Sequence, residues 1–169
     1  MLSSLKITSI GEMMGQTDIL ETGEIHLATD SEQIQSCYKT MHQLRPYLTS
    51  EQAFISQVQR QIQEGYCLAY IQDNGQIKAL AGFRFLEFLA WGKVLYIDDL
   101  VSDAGTRRNG YGSKLLKWVI NEAKKAKYDQ VHLDSGPQRH DAHRLYLNHG
   151  FKIIGHHFAL DFKESISAR

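Results

Sequence analysis

LYIDDLVSDAGTRRNGYGSKLLKWVINEA, residues 95 to 123, passes from an apolar run through a polar turn into a helical pattern. Leu115, Leu116, Val119, Ile120, Ala123 and Ala126 recur at helical spacing, so an amphipathic helix is predicted from about Gly112. LYIDDLV reads as a strand, which leaves SDAGTRRNGYG as the connecting loop. Gly110 and Gly112 remove Cβ atoms where a helix start exposes unpaired backbone N–H groups and the positive end of its dipole, the physical recipe for an anion site. Two known phosphate loops fail on spacing. Gly105 and Gly110 have the Walker A separation, but Tyr111 and Gly112 stand where Lys and Ser or Thr must follow. A dinucleotide fingerprint needs Gly or Ala at 115, where Leu115 sits. The competing reading is a loop whose glycines only permit a tight turn.

Outward from this stretch the chain keeps a clear order. Residues 1–23 mix Ser, Thr, Gly and Met without a period and read as an extension, with a single domain over 24–169. EIHLAT alternates as a strand, and Asp30 stands at an N-cap position before a helix with Ile34, Cys37, Tyr38, Met41 and Leu44 on one side. Pro46 stops that helix. Thr49 and Gln52 form a capping-box pattern for a second helix with Ala53, Phe54, Val58 and Ile62 apolar. YCLAYIQ and KALAGFRFLEFLA flank Asp73, Asn74 and Gly75, a hairpin signal. After the central helix, QVHLDS reads as a strand, HDAHRLYLNHG as a short helix closed by Gly150, and FKIIGHHFALDF as a last strand. The order β-α-α-β-β-β-α-β-α-β implies an α+β fold, a mixed, mostly antiparallel sheet flanked by helices.

Composition excludes several classes. Apolar residues make up 43% and charged residues 22%, and nineteen Lys and Arg balance nineteen Asp and Glu. No global field draws such a chain to nucleic acid or an anionic membrane. The basic stretch from Arg107 to Lys127 leaves nucleic-acid binding as a rival with little support. Cys37 and Cys67 sit in apolar contexts without metal-ligand spacing, and no signal peptide or long apolar run occurs, so the expected location is cytoplasmic. His140 and His143 lie one helical turn apart, but no Cys partners them and no metal is expected. Phe83, Phe85, Phe88 and Trp91 read as sheet core or as a surface for a homodimer.

LYIDDLVSDAGTRRNGYGSKLLKWVINEA followed by HLDS and AHRLYLNHGF resembles the GNAT superfamily of acetyl-CoA-dependent N-acetyltransferases, over about residues 25 to 162. Members carry a Q/R-x-x-G-x-G/A turn, and Arg107, Gly110 and Gly112 fall on its positions. The resemblance implies the GNAT fold, acetyl-CoA as co-substrate, a pyrophosphate cradle made by the backbone N–H groups of Arg108, Asn109, Gly110, Tyr111, Gly112 and Ser113, and Arg107 as a further cofactor-binding residue. Members often have Gly after the first Arg or Gln, where this chain has Arg108. Main-chain groups around Leu100 and Val101 are implied to pair with the pantetheine. Many members have Asn where Arg139 stands here, three residues before Ala142.

The implied reaction sets chemical demands. An alkyl ammonium has a pKa of about 10.4 and must lose a proton before it attacks a thioester. Simple alternation over YIDDLV puts Asp98 on one face with Tyr96 and Leu100, and Asp99 on the other with Ile97 and Val101. Asp98 falls on the family's base position, acting through water, whereas Asp99 reads as a carboxylate satisfied by a loop or helix end. The departing thiolate, with a pKa of about 8.5, can take a proton from a phenol near 10. Tyr146 falls on the tyrosine the family commonly places near the CoA sulfur, while without the family a core aromatic would be its default. No cysteine is placed for an acyl-enzyme. The expected activity is direct acetyl transfer to a primary amine of a small molecule or peptide. The alternative is a non-catalytic acyl-CoA-binding module acting as sensor or assembly partner.

Overall fold

The structure is a computed structural model that describes residues 23–162. Apart from Gly23, the expected extension over 1–23 lies outside the described residues. Two compact units divide between Leu133 and Asp134.

The first unit contains β1 (Glu24–Leu27), α1 (Ser31–Leu44), α2 (Glu51–Gln63), β2 (Tyr66–Asp73), β3 (Gln76–Phe88), β4 (Gly92–Ser102), a 3₁₀ turn (Ala104–Thr106), α3 (Tyr111–Lys125) and β5 (Gln130–Leu133). Asp30 caps α1, its carboxylate accepting the Gln33 N–H at 2.9 Å. The cap of α2 is Ser50 rather than Thr49: the Ser50 hydroxyl accepts the Ala53 N–H at 3.1 Å. A hydroxyl three residues before an N–H that needs an acceptor is the requirement, and Ser50 meets it one residue later than the sequence pattern implied.

The five strands lie in the order β1-β2-β3-β4-β5, the first three pairs antiparallel and β4–β5 parallel. The hairpin between β2 and β3 turns on Asn74 and Gly75, both at positive φ, as a two-residue connection matched to strand twist requires. Alternation divides the sheet into two faces. Leu68, Tyr70, Leu80 and Val101 pack with Ile34, Cys37 and Met41 of α1 and Phe54, Ile55 and Val58 of α2. The intervening residues face α3, with Phe83 and Trp118 edge to face at 6.3 Å. Leu115, Leu116 and Val119 are fully buried, each stabilising by about 2 kcal/mol of transfer free energy. Glu122, on the same helix, is buried too and accepts from Lys125 at 2.8 Å.

Two irregularities matter for function. Gly82 pairs with Asp99 and Phe83 with Ile97, so Asp98 is the extra residue of a β-bulge. Pairing between β4 and β5 runs only from Val94↔Gln130 to Ile97↔Leu133. Beyond Ile97, β4 keeps its β3 partners but has no β5 partner.

The second unit carries α4 (His140–Asn148). Its C-terminus is a Schellman motif: the Phe151 N–H donates to the Tyr146 carbonyl at 3.1 Å and the Gly150 N–H to that of Leu147 at 3.0 Å, with Gly150 at φ 84°. The Tyr146 and Phe151 rings, 5.8 Å apart, supply the apolar contact such a cap usually has. The expected last strand over FKIIGHHFALDF is not formed. Residues 151–162 have no ladder partner among the described residues, and Ile153, Ile154, Phe158, Leu160 and Phe162 are 68% to 93% exposed. Period-two patterning specifies a face, but a strand also needs a neighbour to pair with, which the pattern does not provide.

Candidate active site

At the end of β4 the chain makes the 3₁₀ turn, where the Asp103 carboxylate accepts the Gly105 N–H at 3.0 Å. The side chain of Gln43, near the end of α1, anchors this corner, accepting the Ala104 N–H and donating to Asp103 at 2.7 Å. Arg107, Arg108, Asn109 and Gly110 are exposed. Gly110 is the N-cap of α3 at φ 83°, a left-handed conformation that costs an L-residue about 1 to 2 kcal/mol. A Cβ there would meet nothing within 4 Å, so the space before the helix start is open. The first intrahelical bond runs from Lys114 N–H to the Gly110 carbonyl at 2.9 Å. The N–H groups of Tyr111 and Gly112 therefore precede the intrahelical ladder, at the positive end of the helix dipole.

Each position of the turn has a separate reason. A Cβ on Gly112 would lie 2.7 Å from the Ser102 hydroxyl, so glycine here lets α3 start against the end of β4. That is a packing role, beside the anion approach and the tight turn that the sequence pattern offered. Tyr111 is buried and its hydroxyl donates to Asp73 at 2.6 Å, tying the helix start to the β2–β3 hairpin. Arg108 adopts φ 68°, which explains glycine as the common alternative and leaves the arginine with strain. Lys114 reaches the Gly23 carbonyl at 2.7 Å, while Lys117 is exposed.

The two carboxylates of β4 do not divide between the faces. Paired residues share a face, so Tyr96 lies with Arg84, Asp99 with Gly82, and Ile97 with Phe83 on the opposite side. The bulge at Asp98 breaks the alternation, and both carboxylates reach side chains on the α1 side. Arg84 Nε donates to Asp98 Oδ2 at 2.7 Å. Arg45, the C-cap residue of α1, donates to Asp99 Oδ1 at 2.8 Å and to the Asp98 carbonyl at 2.9 Å. The Tyr66 hydroxyl donates to Asp99 Oδ2 at 3.0 Å. Asp99 is thus satisfied, by Arg45 at a helix end, as expected, and by Tyr66 of β2. Gly82 belongs to the same device: a Cβ there would stand 1.9 Å from the Tyr66 hydroxyl oxygen.

Electrostatics separate the groups. Burial raises Asp98 above the ordinary carboxylate value, against the bond and charge of Arg84. Burial and the Asp99 carboxylate hold the Tyr66 phenol neutral, well above its usual value. Burial pushes the Cys37 thiol up to about 12 and the Cys67 thiol up to about 11, which makes both poor nucleophiles at neutral pH.

In the second unit, burial raises Tyr146, opposed by Arg139. Arg144 pairs with Asp141, and His157 Nδ1 lies 3.0 Å from Asp134. The Ser135 hydroxyl is buried without a hydrogen-bond partner among the described residues. No group of three or more His, Cys, Asp or Glu that could hold a metal ion occurs among the described residues. No described helix is long and apolar enough to cross a membrane.

Sequence reasoning missed Arg84, Arg45, Tyr66 and Gly82. Two signals were present: a lone glycine inside KALAGFRF, which marks a bulge or a close approach, and an arginine two residues later within an apolar strand.

A bulged strand that parts from its parallel neighbour and feeds a left-handed glycine at a helix start is the arrangement of an acyltransferase of the GNAT type. The profile of the Acetyltransferase (GNAT) family matches residues 31–151. The chain belongs to that family and is an acyltransferase. It is 36% identical over 132 residues to an uncharacterised N-acetyltransferase of Bacillus subtilis (strain 168), YhdJ, covering 77% of this chain and 92% of that one. Among solved structures it is similar to a probable acetyltransferase, with a TM-score of 0.73, 11% identity, and coverage of 84% of this chain and 99% of the other. It is also similar to the aminoglycoside N-acetyltransferase AAC(6')-Iy in complex with CoA, with a TM-score of 0.70, 11% identity, and coverage of 88% and 100%.

Proposed function

We propose that the protein transfers the acetyl group of acetyl-CoA to a primary amine of a small molecule or peptide by direct attack. The observation that carries this is the left-handed Gly110 opening α3 next to a β4 segment that has no β5 partner. Backbone groups are thereby left at two adjacent places: N–H donors at the helix start for the pyrophosphate, and strand groups at Leu100 and Val101 for the pantetheine. Arg107 and Arg108 add positive charge beside the first of these. The family match crosses the boundary between the two units, which supports residues 24–169 acting as one domain. Two free cysteines, Cys37 buried and Cys67 half-buried, fit a cytoplasmic location.

Acetyl-CoA supplies an activated acyl group on a good leaving thiolate. The amine nitrogen forms the new bond to the thioester carbon as the carbon–sulfur bond breaks. Asp98 accepts the ammonium proton through a water, and a backbone N–H of β4 steadies charge on the carbonyl oxygen. Tyr146 returns a proton to the sulfur. Its phenol, held above its ordinary value by burial, stays protonated at neutral pH, as a donor must. A thiol-release assay with acetyl-CoA against aminoglycosides, polyamines, amino acids, aminoalkylphosphonates and peptides tests the reading. Release with at least one class is expected. Acetyl-CoA binding with no release across the panel would overturn it.

A further inference from the structure

Asp98 stands on a bulge, where strand geometry alone fixes a side chain poorly. Arg84 of β3 compensates. Its Nε donates to Asp98 Oδ2 at 2.7 Å, and its guanidinium carbon lies 5.2 Å from the centroid of the Tyr66 ring, which supports the cation from beneath. Both partners of the pair have side chains only 21% exposed. Tyr66 is held in turn by Asp99, and Asp99 by Arg45. Arg45 spends its remaining contact on the Asp98 backbone carbonyl, so among the described residues Arg84 is the cation bonded to the Asp98 carboxylate.

We propose that Arg84 is a positioning residue that fixes the orientation of the Asp98 carboxylate and keeps it ionised, acting through Asp98 rather than on either substrate. The proposal rests on Asp98 being the proton acceptor. The charged and titratable groups facing Asp98 are Arg84 from β3, Arg45 from the end of α1, Asp99 from its own strand and the neutral phenol of Tyr66 from β2. Burial and Asp99 push the carboxyl up, and the two arginines pull it down, Arg84 most. Removing the Arg84 charge leaves burial and Asp99 less opposed. The acid limb of the activity profile then moves to higher pH.

The test is kcat/KM for the best amine as a function of pH in wild type, Asp98→Asn, Arg84→Gln and Arg84→Lys. Ionisation of the amine itself is common to all four and cancels in the ratio to wild type. Arg84→Gln is expected to shift the acid limb upward by about one pH unit, with KM for acetyl-CoA within about twofold. Arg84→Lys keeps the charge but not the guanidinium that bonds Asp98 from above the Tyr66 ring, so its limb moves less, in the same direction, while kcat falls. Should Arg84→Gln prove too unstable to assay, Arg84→Lys decides: an unmoved limb with unchanged kcat overturns the proposal. An Arg84→Gln limb coincident with wild type, while Asp98→Asn has lost the limb, refutes the role of Arg84 and leaves that of Asp98 standing. An Asp98→Asn profile whose ratio to wild type does not change with pH refutes both.

Discussion

The turn from Arg107 to Ser113 and the carboxylate cluster of β4 are built in opposite ways. Backbone groups within a few residues of one another make the turn, and the conformation of Gly110 sets them. Side chains from β2, β3, β4 and the end of α1 make the cluster, with partners as far apart in sequence as Arg45 and Asp99. At its exposed positions, 107 to 110, such a turn tolerates changes of side chain but not of conformation or local charge. In the cluster, each partner removed strands another buried polar group.

Several substitutions sharpen that contrast. Gly82→Ala drives a Cβ into the Tyr66 hydroxyl, and is expected to cost about 3 kcal/mol, lowering Tm by about 6 to 12 °C in a thermal melt. Adding Tyr66→Phe should recover only part, because the ring carbon beneath the hydroxyl would still lie 2.5 Å away. Asp98→Asn is expected to reduce kcat about 100-fold or more at neutral pH, with acetyl-CoA affinity little changed by calorimetry. Asp99→Ala leaves the Tyr66 hydroxyl and the Arg45 fork without their carboxylate, a loss of about 2 kcal/mol in urea unfolding. In the turn the sign reverses: Arg108→Gly relieves a left-handed backbone and should raise stability by about 0.5 to 1 kcal/mol, less than the full strain because glycine is freer when unfolded. A destabilised Arg108→Gly would mean that its side chain holds the turn, against the contrast.

The same division explains what could be read beforehand. Gly110 and the helix after it were legible because the spacing that names the turn also builds it. Asp30 as a cap and Asn74–Gly75 as a hairpin were legible for the same local reason. The facing of Asp98 and Asp99 was not, because it follows from a bulge in the pairing of β4 with β3 and from partners in β2, β3 and the end of α1 that meet only in the folded sheet. Ser50 displaced Thr49 as a cap through a one-residue shift that pattern alone does not separate. FKIIGHHFALDF has a strand's composition, yet its outcome depends on a pairing partner that its own residues do not specify.

The most direct test of the central claim, that backbone groups at the start of α3 hold the anionic part of acetyl-CoA, is a calorimetric titration of Gly110→Asn and Gly110→Asp beside wild type. Asn and Asp both tolerate the left-handed region and have nearly the same shape, so the pair isolates charge. Wild type should bind acetyl-CoA and the Asn variant should follow it within a few fold. The Asp variant should bind at least about tenfold more weakly, a difference that salt reduces. Equal affinities for the Asn and Asp variants, or no binding by wild type, would contradict the account.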